Sequence, residues 1–413
     1  MDSERRPRLT PAIADVRRAV REALRGRSSS EPARWSSSES RSDVPPARWS
    51  SSESRSDPRI EADVRATGVS IRPAGYSTSG NGGPAGYSTS EVVLVALSGG
   101  PDSLALAAAT AFEAPRAGIR AGAVIINHGL QDGSADVAAA AAAQAESLGL
   151  SPVLVKRVVV GSAGGPEAAA RDARYAALAE AAEEASASAV LLGHTLDDQA
   201  ETVLLGLARG SGASSLSGMA PSSASGSAGA PGTVGASGTV GALGSGLSYL
   251  RPLLGIRRSM TMQFCADSGL TPWHDPQNDD ERFSRVRVRN TILPLLEREL
   301  GPGVAEALAR TAAQLREDGA ALDHFAEEIA EELADIAEAG ISLPVRALAS
   351  NPPALRQRLI RLAVESEFHV SLSRAQTLEV ARLVTDWHGQ KPLDLPGVRV
   401  ERQGGLLIFS ANG

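Results

Sequence analysis

Between the apolar run EVVLVAL at 91–97 and the helical stretch LALAAATAF at 104–112 stand six residues, Ser98-Gly99-Gly100-Pro101-Asp102-Ser103. An unbroken run of β-branched residues and leucine suits a strand buried on both faces of a parallel sheet. Two glycines then let the backbone approach a ligand, and the amides of the loop and of the helix's first turn converge on one spot, which makes an anion site. The lysine of a Walker A loop is missing. An ordinary β-α turn is the plain alternative, but the strand-loop-helix setting favours phosphate.

The chain around the loop repeats the same alternation. AGAVIINHG at 121–129 ends in His128, and an alanine-rich helical stretch follows at 135–148. PVLVKRVVV at 152–160 and AVLLGH at 189–194 are separated by the helical EAAARDARYAALAEAAEEA. This order predicts an α/β fold, a doubly wound, Rossmann-like parallel sheet, with functional residues at the carboxyl ends of its strands.

Five segments are expected. Residues 1–26 carry an amphipathic helix, with Ile13, Val16, Val20 and Leu24 at helical spacing behind Thr10 and Pro11. Residues 27–90 read as a disordered insertion, because ARWSSSESRSD recurs at 33–43 and 47–57 and PAGYSTS at 73–79 and 84–90. Residues 91–216 form the loop-bearing domain, and 217–248, rich in Gly, Ser and Ala, a second flexible insertion. Residues 249–413 form a smaller, mainly helical domain closed by a terminal hairpin around Gly404 and Gly405.

Several function classes drop out. One cysteine, Cys265, permits neither an intramolecular disulfide nor a cysteine-built zinc or iron-sulfur cluster. No apolar run reaches the ~18 to 20 residues of a membrane span, so no membrane role and a cytoplasmic location are expected. Net charge is −7, so any nucleic-acid contact must come from a local patch. Lysine occurs only at Lys156 and Lys391, which leaves arginine as the phosphate-binding cation.

The remaining polar residues cluster at strand ends. His194, Asp198 and Glu201 share one helix face if a helix begins near 195. Capping is the competing explanation, by Thr195 or Asp197, or with Glu201 as the reciprocal partner of Asp198. His128 ends another strand. Arg171 and Arg174 lie on a helix, where Glu167 could simply pair with Arg171. Arg282, Arg285, Arg287 and Arg289 fall within eight residues beside Phe283, a pattern suited to RNA phosphates and an unpaired base, or to a solvated face balanced by Asp275, Asp279, Asp280 and Glu281.

The loop resembles that of the PP-loop ATPases, which split ATP between its α and β phosphates. Asn127-His128-Gly129-Leu130, Ala170-Arg171 with Arg174-Tyr175, Gly193 to Thr202, Arg209-Gly210-Ser211-Gly212, Arg251-Pro252-Leu253-Leu254, the stretch 273–290 and Leu395-Pro396-Gly397 follow in order. Together they resemble the tRNA(Ile)-lysidine synthase family, over about 90–216 and 249–413. The resemblance implies ATP-dependent ligation of L-lysine to C2 of the wobble cytidine in the CAU anticodon of tRNA(Ile), through an adenylated intermediate, and a homodimer. It implies Ser98, Gly99, Gly100, Pro101, Asp102 and Ser103 as the ATP loop, and Asp102, His128, Arg171, His194, Asp198 and Glu201 as catalytic residues. By the same resemblance Arg282, Arg285, Arg287 and Arg289 hold tRNA. Asp102 and Asp198 are expected to hold Mg2+, since hard cations prefer carboxylate oxygens.

Three positions depart from the family pattern. Asn127 stands for an aspartate, Gln131 for an arginine, and Ser214 where an arginine often follows the Arg-Gly-Ser-Gly turn. Two other readings compete: a nucleotide- or RNA-binding module without turnover, and another PP-loop tRNA-modifying enzyme such as a cytidine thiolase. The single cysteine opposes the thiolase.

Overall fold

The computed structural model describes residues 9–28, 91–129, 133–158, 166–210, 212–224, 246–333, 335–337 and 340–412. Nearly all of the repeat-rich stretch at 27–90 lies outside them, as do Leu130, Gln131 and Ser211.

The first helix, α1 (Pro11–Ser28), buries the face that its spacing predicts: Ile13, Val16, Val20 and Leu24 are all in the core. The predicted alternation then unfolds as β1 (Val92–Ala96), α2 (Pro101–Glu113), β2 (Arg120–Asn127), α3 (Ser134–Ser147), β3 (Val153–Arg157), α4 (Pro166–Glu184), β4 (Ala189–Leu191) and α5 (Leu196–Ala208). A short α6 (Ala213–Leu216), β5 (Ser222–Ala224) and β6 (Ser248–Leu250) follow. The sheet order is β3-β2-β1-β4-β6-β5, parallel except for β5, which runs antiparallel to β6. Successive strands are added to one side of β1 as far as β3 and then to the other from β4, so the crevice at the carboxyl ends of β1, β2 and β4 is a topological switch point, where open α/β sheets bind ligands.

Of the flexible stretch expected at 217–248, residues 225–245 lie outside the described residues. Ser222–Ala224 pair with β6, and the Gln199 side chain clamps the backbone of Met219, donating to its carbonyl at 2.8 Å and accepting from its amide at 2.7 Å.

Beyond the sheet come α7 (Arg258–Asp267), α8 (Ser284–Arg287), a wide helical turn at Val288–Ile292, α9 (Leu293–Leu300) and the long α10 (Val304–Leu333). A second, antiparallel sheet is built from β7 (Asp335–Ala337), β8 (Gly340–Pro344), β9 (Leu393–Leu395), β10 (Val398–Gln403) and β11 (Leu406–Ala411), in the order β7-β8-β11-β10-β9. Between β8 and β9 run α11 (Val345–Ser350), α12 (Pro353–Phe368) and α13 (Arg374–Thr385). The expected terminal hairpin is β10–β11, but it belongs to five strands rather than standing alone. Its core packs Phe409, Leu343, Leu359 and Ile360. Leu196 and Ala200 of α5 share an apolar cluster with Leu293 and Ala305, which ties the helical region to the end of β4. Among the described residues no helix is long and apolar enough to cross a membrane.

Candidate functional site

The loop after β1 has the form its glycines predict. Gly99 takes a positive φ of 84°, and Pro101 opens α2 behind Gly100. Ser98 and Ser103 lie with their hydroxyl oxygens 3.1 Å apart, and the Ser98 amide donates to Ser103 Oγ at 3.2 Å. The Trp273 amide donates to the Gly99 carbonyl at 2.9 Å, so the Trp-His-Asp segment closes over the loop.

Asp102, in the first turn of α2, faces α5 and α7. One guanidinium joins three carboxylates there: Arg258 reaches Asp102 Oδ2 through Nε at 3.2 Å, Asp198 Oδ1 through Nη2 at 2.8 Å and Glu201 Oε1 through Nη1 at 3.2 Å. The Thr261 hydroxyl donates to Asp102 Oδ1. Burial pushes the Asp102 carboxyl up from its ordinary value despite Arg258 beside it. Asp198 is also pushed up by burial, but Arg258, His194 and the Thr195 amide outweigh that and bring it down to about 2.

Capping accounts for part of the carboxylate pattern. The box is Thr195 with Asp198: the Thr195 amide and hydroxyl both donate to Asp198 Oδ2 at 2.8 Å, and the Asp198 amide donates back at 3.4 Å. Glu201 is not Asp198's capping partner. Its side chain has no solvent exposure and meets Arg258, Arg285 and Arg289. Asp197 accepts from the Arg258 amide at 2.7 Å, which seats the start of α7.

The four arginines expected on tRNA do not form one patch. Arg282 is exposed and paired with Asp280, and Arg287 donates to the carbonyls of Glu281 and Arg282. Arg285 and Arg289 turn inward instead. Arg289 holds Glu201 in a two-pronged contact at 2.7 and 3.0 Å, and Arg285 donates to Thr202 Oγ1 at 2.7 Å. The reason is a buried carboxylate one helix away, which composition does not reveal.

Beside the loop opens a cavity of about 340 Å³ between the ends of β1 and β2, walled by Ser98, Asn127, His128, Arg174 and Trp273 over an aliphatic floor. Arg171, the arginine implied as catalytic, is not among its walls and stands over the Tyr175 ring at 5.2 Å. Arg174, three residues on, is the one that reaches the cavity, and burial lowers its pKa. The Asn127 side chain accepts from the Gly129 amide at 2.9 Å, so the turn after β2 closes without the aspartate. His128 and His194 each bury an Nδ1 without a partner in the structure. Burial holds both below the ordinary imidazole range, His194 at about 3, so both rings are neutral near pH 7. Burial and the charge of Asp102 push the Cys265 thiol up to about 12, leaving it protonated and unreactive.

Magnesium can be tested against these donors. Both oxygens of Asp198 are taken, and among the described residues no three His, Cys, Asp or Glu side chains form a metal cage. Both oxygens of Asp102 are taken too, by Arg258 and Thr261, but it stands at the phosphate loop, where one carboxylate joining substrate phosphates is the usual magnesium pattern. Asp198 does not.

Arg258 and Thr261 were missed by the sequence reading. Arg258 follows Arg251-Pro252-Leu253-Leu254 by four residues, and that proximity is the one signal that could have flagged it.

A strand, a glycine loop and a helix with carboxylates at the switch point define a PP-loop protein, and the PP-loop domain model matches residues 80–296. The TilS substrate binding domain model matches 343–407. A tRNA(Ile)-lysidine synthase from Leifsonia xyli subsp. xyli is 62% identical over 319 residues, 77% of this chain and 89% of the relative. One from Thermobifida fusca is 48% identical over 324 residues, covering 78% and 92%. The chain therefore belongs to the tRNA(Ile)-lysidine synthase family. Among solved structures, a tRNA thiolase from Methanococcus maripaludis aligns with a TM-score of 0.43 and 20% identity over 55% of this chain and 73% of that one, a slight likeness.

Proposed function

We infer that the protein is an ATP-dependent ligase that joins L-lysine to C2 of the wobble cytidine in CAU-anticodon tRNA(Ile). The C2 oxygen attacks the α phosphorus of ATP and pyrophosphate leaves. The lysine ε-amine then attacks C2, and the oxygen departs with AMP. The observation that supports this most directly is the meeting of Asp102, Asp198 and Glu201 on Arg258 beside the Ser98–Ser103 loop.

Each residue has a role in this reading. Loop amides from Gly99 to Ser103 and the start of α2 hold the phosphates, where fixed dipoles stabilise developing charge without reorganising. Asp102 would hold Mg2+ beside those phosphates, giving up Arg258 or Thr261 to do so, and the ion would supply charge neutralisation there. Arg174, rather than Arg171, faces the nucleotide from the cavity wall. His128 and His194, neutral and each with an unpartnered nitrogen, are placed to hydrogen-bond a base or sugar. Asp198 and Glu201 attract the lysine ammonium, which must compete with Arg258, Arg285 and Arg289 for them. Arg282 and Arg287 remain as surface contacts for tRNA. A homodimer and a cytoplasmic setting complete the reading.

The test is incubation with ATP, magnesium, radiolabelled lysine and CAU-anticodon tRNA(Ile). Label in the tRNA is expected. ATP binding without lysine transfer would instead indicate a nucleotide-binding module.

A further inference from the structure

Among the described residues, Arg258 is the one cation paired both with Asp102 beside the phosphate loop and with the two carboxylates on α5. It uses a different nitrogen for each: Nε for Asp102, Nη2 for Asp198 and Nη1 for Glu201. Arg285 and Arg289 pair with Glu201, and Arg289 with Asp198 as well, but neither pairs with Asp102. A single guanidinium therefore joins the place where a nucleotide's phosphates would lie to the place where an amine would be held.

That set of charges is closed as it stands. Every carboxylate oxygen is occupied: Thr261 donates to Asp102 Oδ1, the Thr195 amide and hydroxyl to Asp198 Oδ2, and Arg285 and Arg289 share Glu201 Oε2. Three carboxylates face three guanidiniums, so their charges sum to zero. A lysine ammonium added to them would be an uncompensated charge in a largely buried place, which is costly. It enters when a guanidinium leaves.

Arg258 is the guanidinium that ATP can move. A triphosphate on the Ser98–Ser103 loop brings anionic oxygens beside Asp102, where Nε now stands, and a guanidinium fork meets phosphate oxygens two at a time. Magnesium on Asp102 would repel the guanidinium from that carboxylate, which acts in the same direction. The backbone need not follow. The Arg258 amide is held by Asp197 at 2.7 Å, and Arg257 pairs with Asp197 and Glu306, so the start of α7 stays anchored while the side chain turns.

We propose that Arg258 keeps the lysine site closed until ATP draws its guanidinium from Asp198 and Glu201 onto the triphosphate, so that ATP and lysine bind cooperatively. The proposal rests on the ligase reading above.

The test is calorimetry of the full chain with L-lysine, with and without a non-hydrolysable ATP analogue and magnesium, on wild type, Arg258→Gln and Arg258→Lys. In wild type the analogue is expected to tighten lysine binding at least about tenfold, and by reciprocity lysine tightens the analogue by the same factor. Arg258→Gln removes the charge that closes the site. Lysine then binds the nucleotide-free variant more tightly than nucleotide-free wild type, and the analogue changes that affinity by about twofold or less. Arg258→Lys, whose one ammonium cannot span all three carboxylates, falls between. A residue that only shaped the site would weaken both affinities and leave their coupling intact. The wild-type coupling factor in Arg258→Gln would therefore overturn the proposal, as would lysine binding to wild type that is absent or indifferent to the analogue. If circular dichroism shows that Arg258→Gln does not fold, Arg258→Lys decides, and coupling equal to wild type overturns the proposal. Absence of lysine transfer to tRNA by wild type would sink the ligase reading instead, a result separate from these binding factors.

Discussion

Arg258 and Glu201 lie 57 residues apart in the chain, yet Arg258 Nη1 stands 3.2 Å from Glu201 Oε1, on a carboxylate that solvent does not reach. Arg289 meets the same oxygen and Arg285 the other oxygen of that carboxylate. Glu201 is thus the shared counter-charge of three guanidiniums. Removing one partner of a buried ion cluster strands the rest, which typically costs about 3 to 5 kcal/mol. Glu201→Ala is expected to lower the unfolding free energy by that order, and Glu201→Gln by less, since its amide still accepts one hydrogen bond. Equal stability of wild type and Glu201→Ala in denaturant titrations would mean that the cluster is solvated.

How much of this was legible in advance depends on the range of the interaction. The face of α1 and the strands at 92–96, 120–127 and 189–191 follow from local periodicity, which residues only a few positions apart decide. The loop at Ser98–Ser103 was legible because glycine, proline and an adjoining strand act locally. Ser222–Ala224 was not: polar and short, it becomes a strand only because Tyr249 and its neighbours present free backbone groups to it. β7 and β8 were hidden for the same reason, being short and beside Gly340 and Pro344. Arg285 and Arg289 read as surface charge because nothing within their own helix reveals Glu201, 84 and 88 residues earlier. The carboxylates of the site were found from sequence, whereas their cationic partners required the fold.

The loop also depends on a glycine outside it. A Cβ on Gly193, at the end of β4, would stand 3.1 Å from Ser103 Cα and N and 3.2 Å from the Asp102 carbonyl carbon. Those are backbone atoms at the start of α2, so they must shift rather than rotate away. Overpacking of this kind costs about 1 to 3 kcal/mol. Gly193→Ala is expected to fold, to bind a non-hydrolysable ATP analogue about tenfold more weakly by calorimetry, and to bind tRNA nearly as before. Unaltered ATP affinity would show that the loop tolerates displacement from this side.

Asp198 provides a pH signature. Its folded pKa of about 2 lies below the ordinary 3.8, because Arg258, His194 and the Thr195 amide favour the carboxylate more than burial disfavours it. A depressed carboxylate contributes stability above its unfolded pKa and loses it as pH falls through the folded value. The contribution is therefore complete above pH about 5 and fades between pH about 4 and 2, by about 2 kcal/mol in all. Asp198→Asn cannot titrate there and keeps a capping oxygen. The difference in unfolding free energy between wild type and Asp198→Asn, from denaturant curves at closely spaced pH, should be constant near neutrality and shrink on acidification through that window. A difference that stays flat down to pH 2.5 would mean that Asp198 has the same proton affinity folded and unfolded, and that Arg258 is not its effective partner.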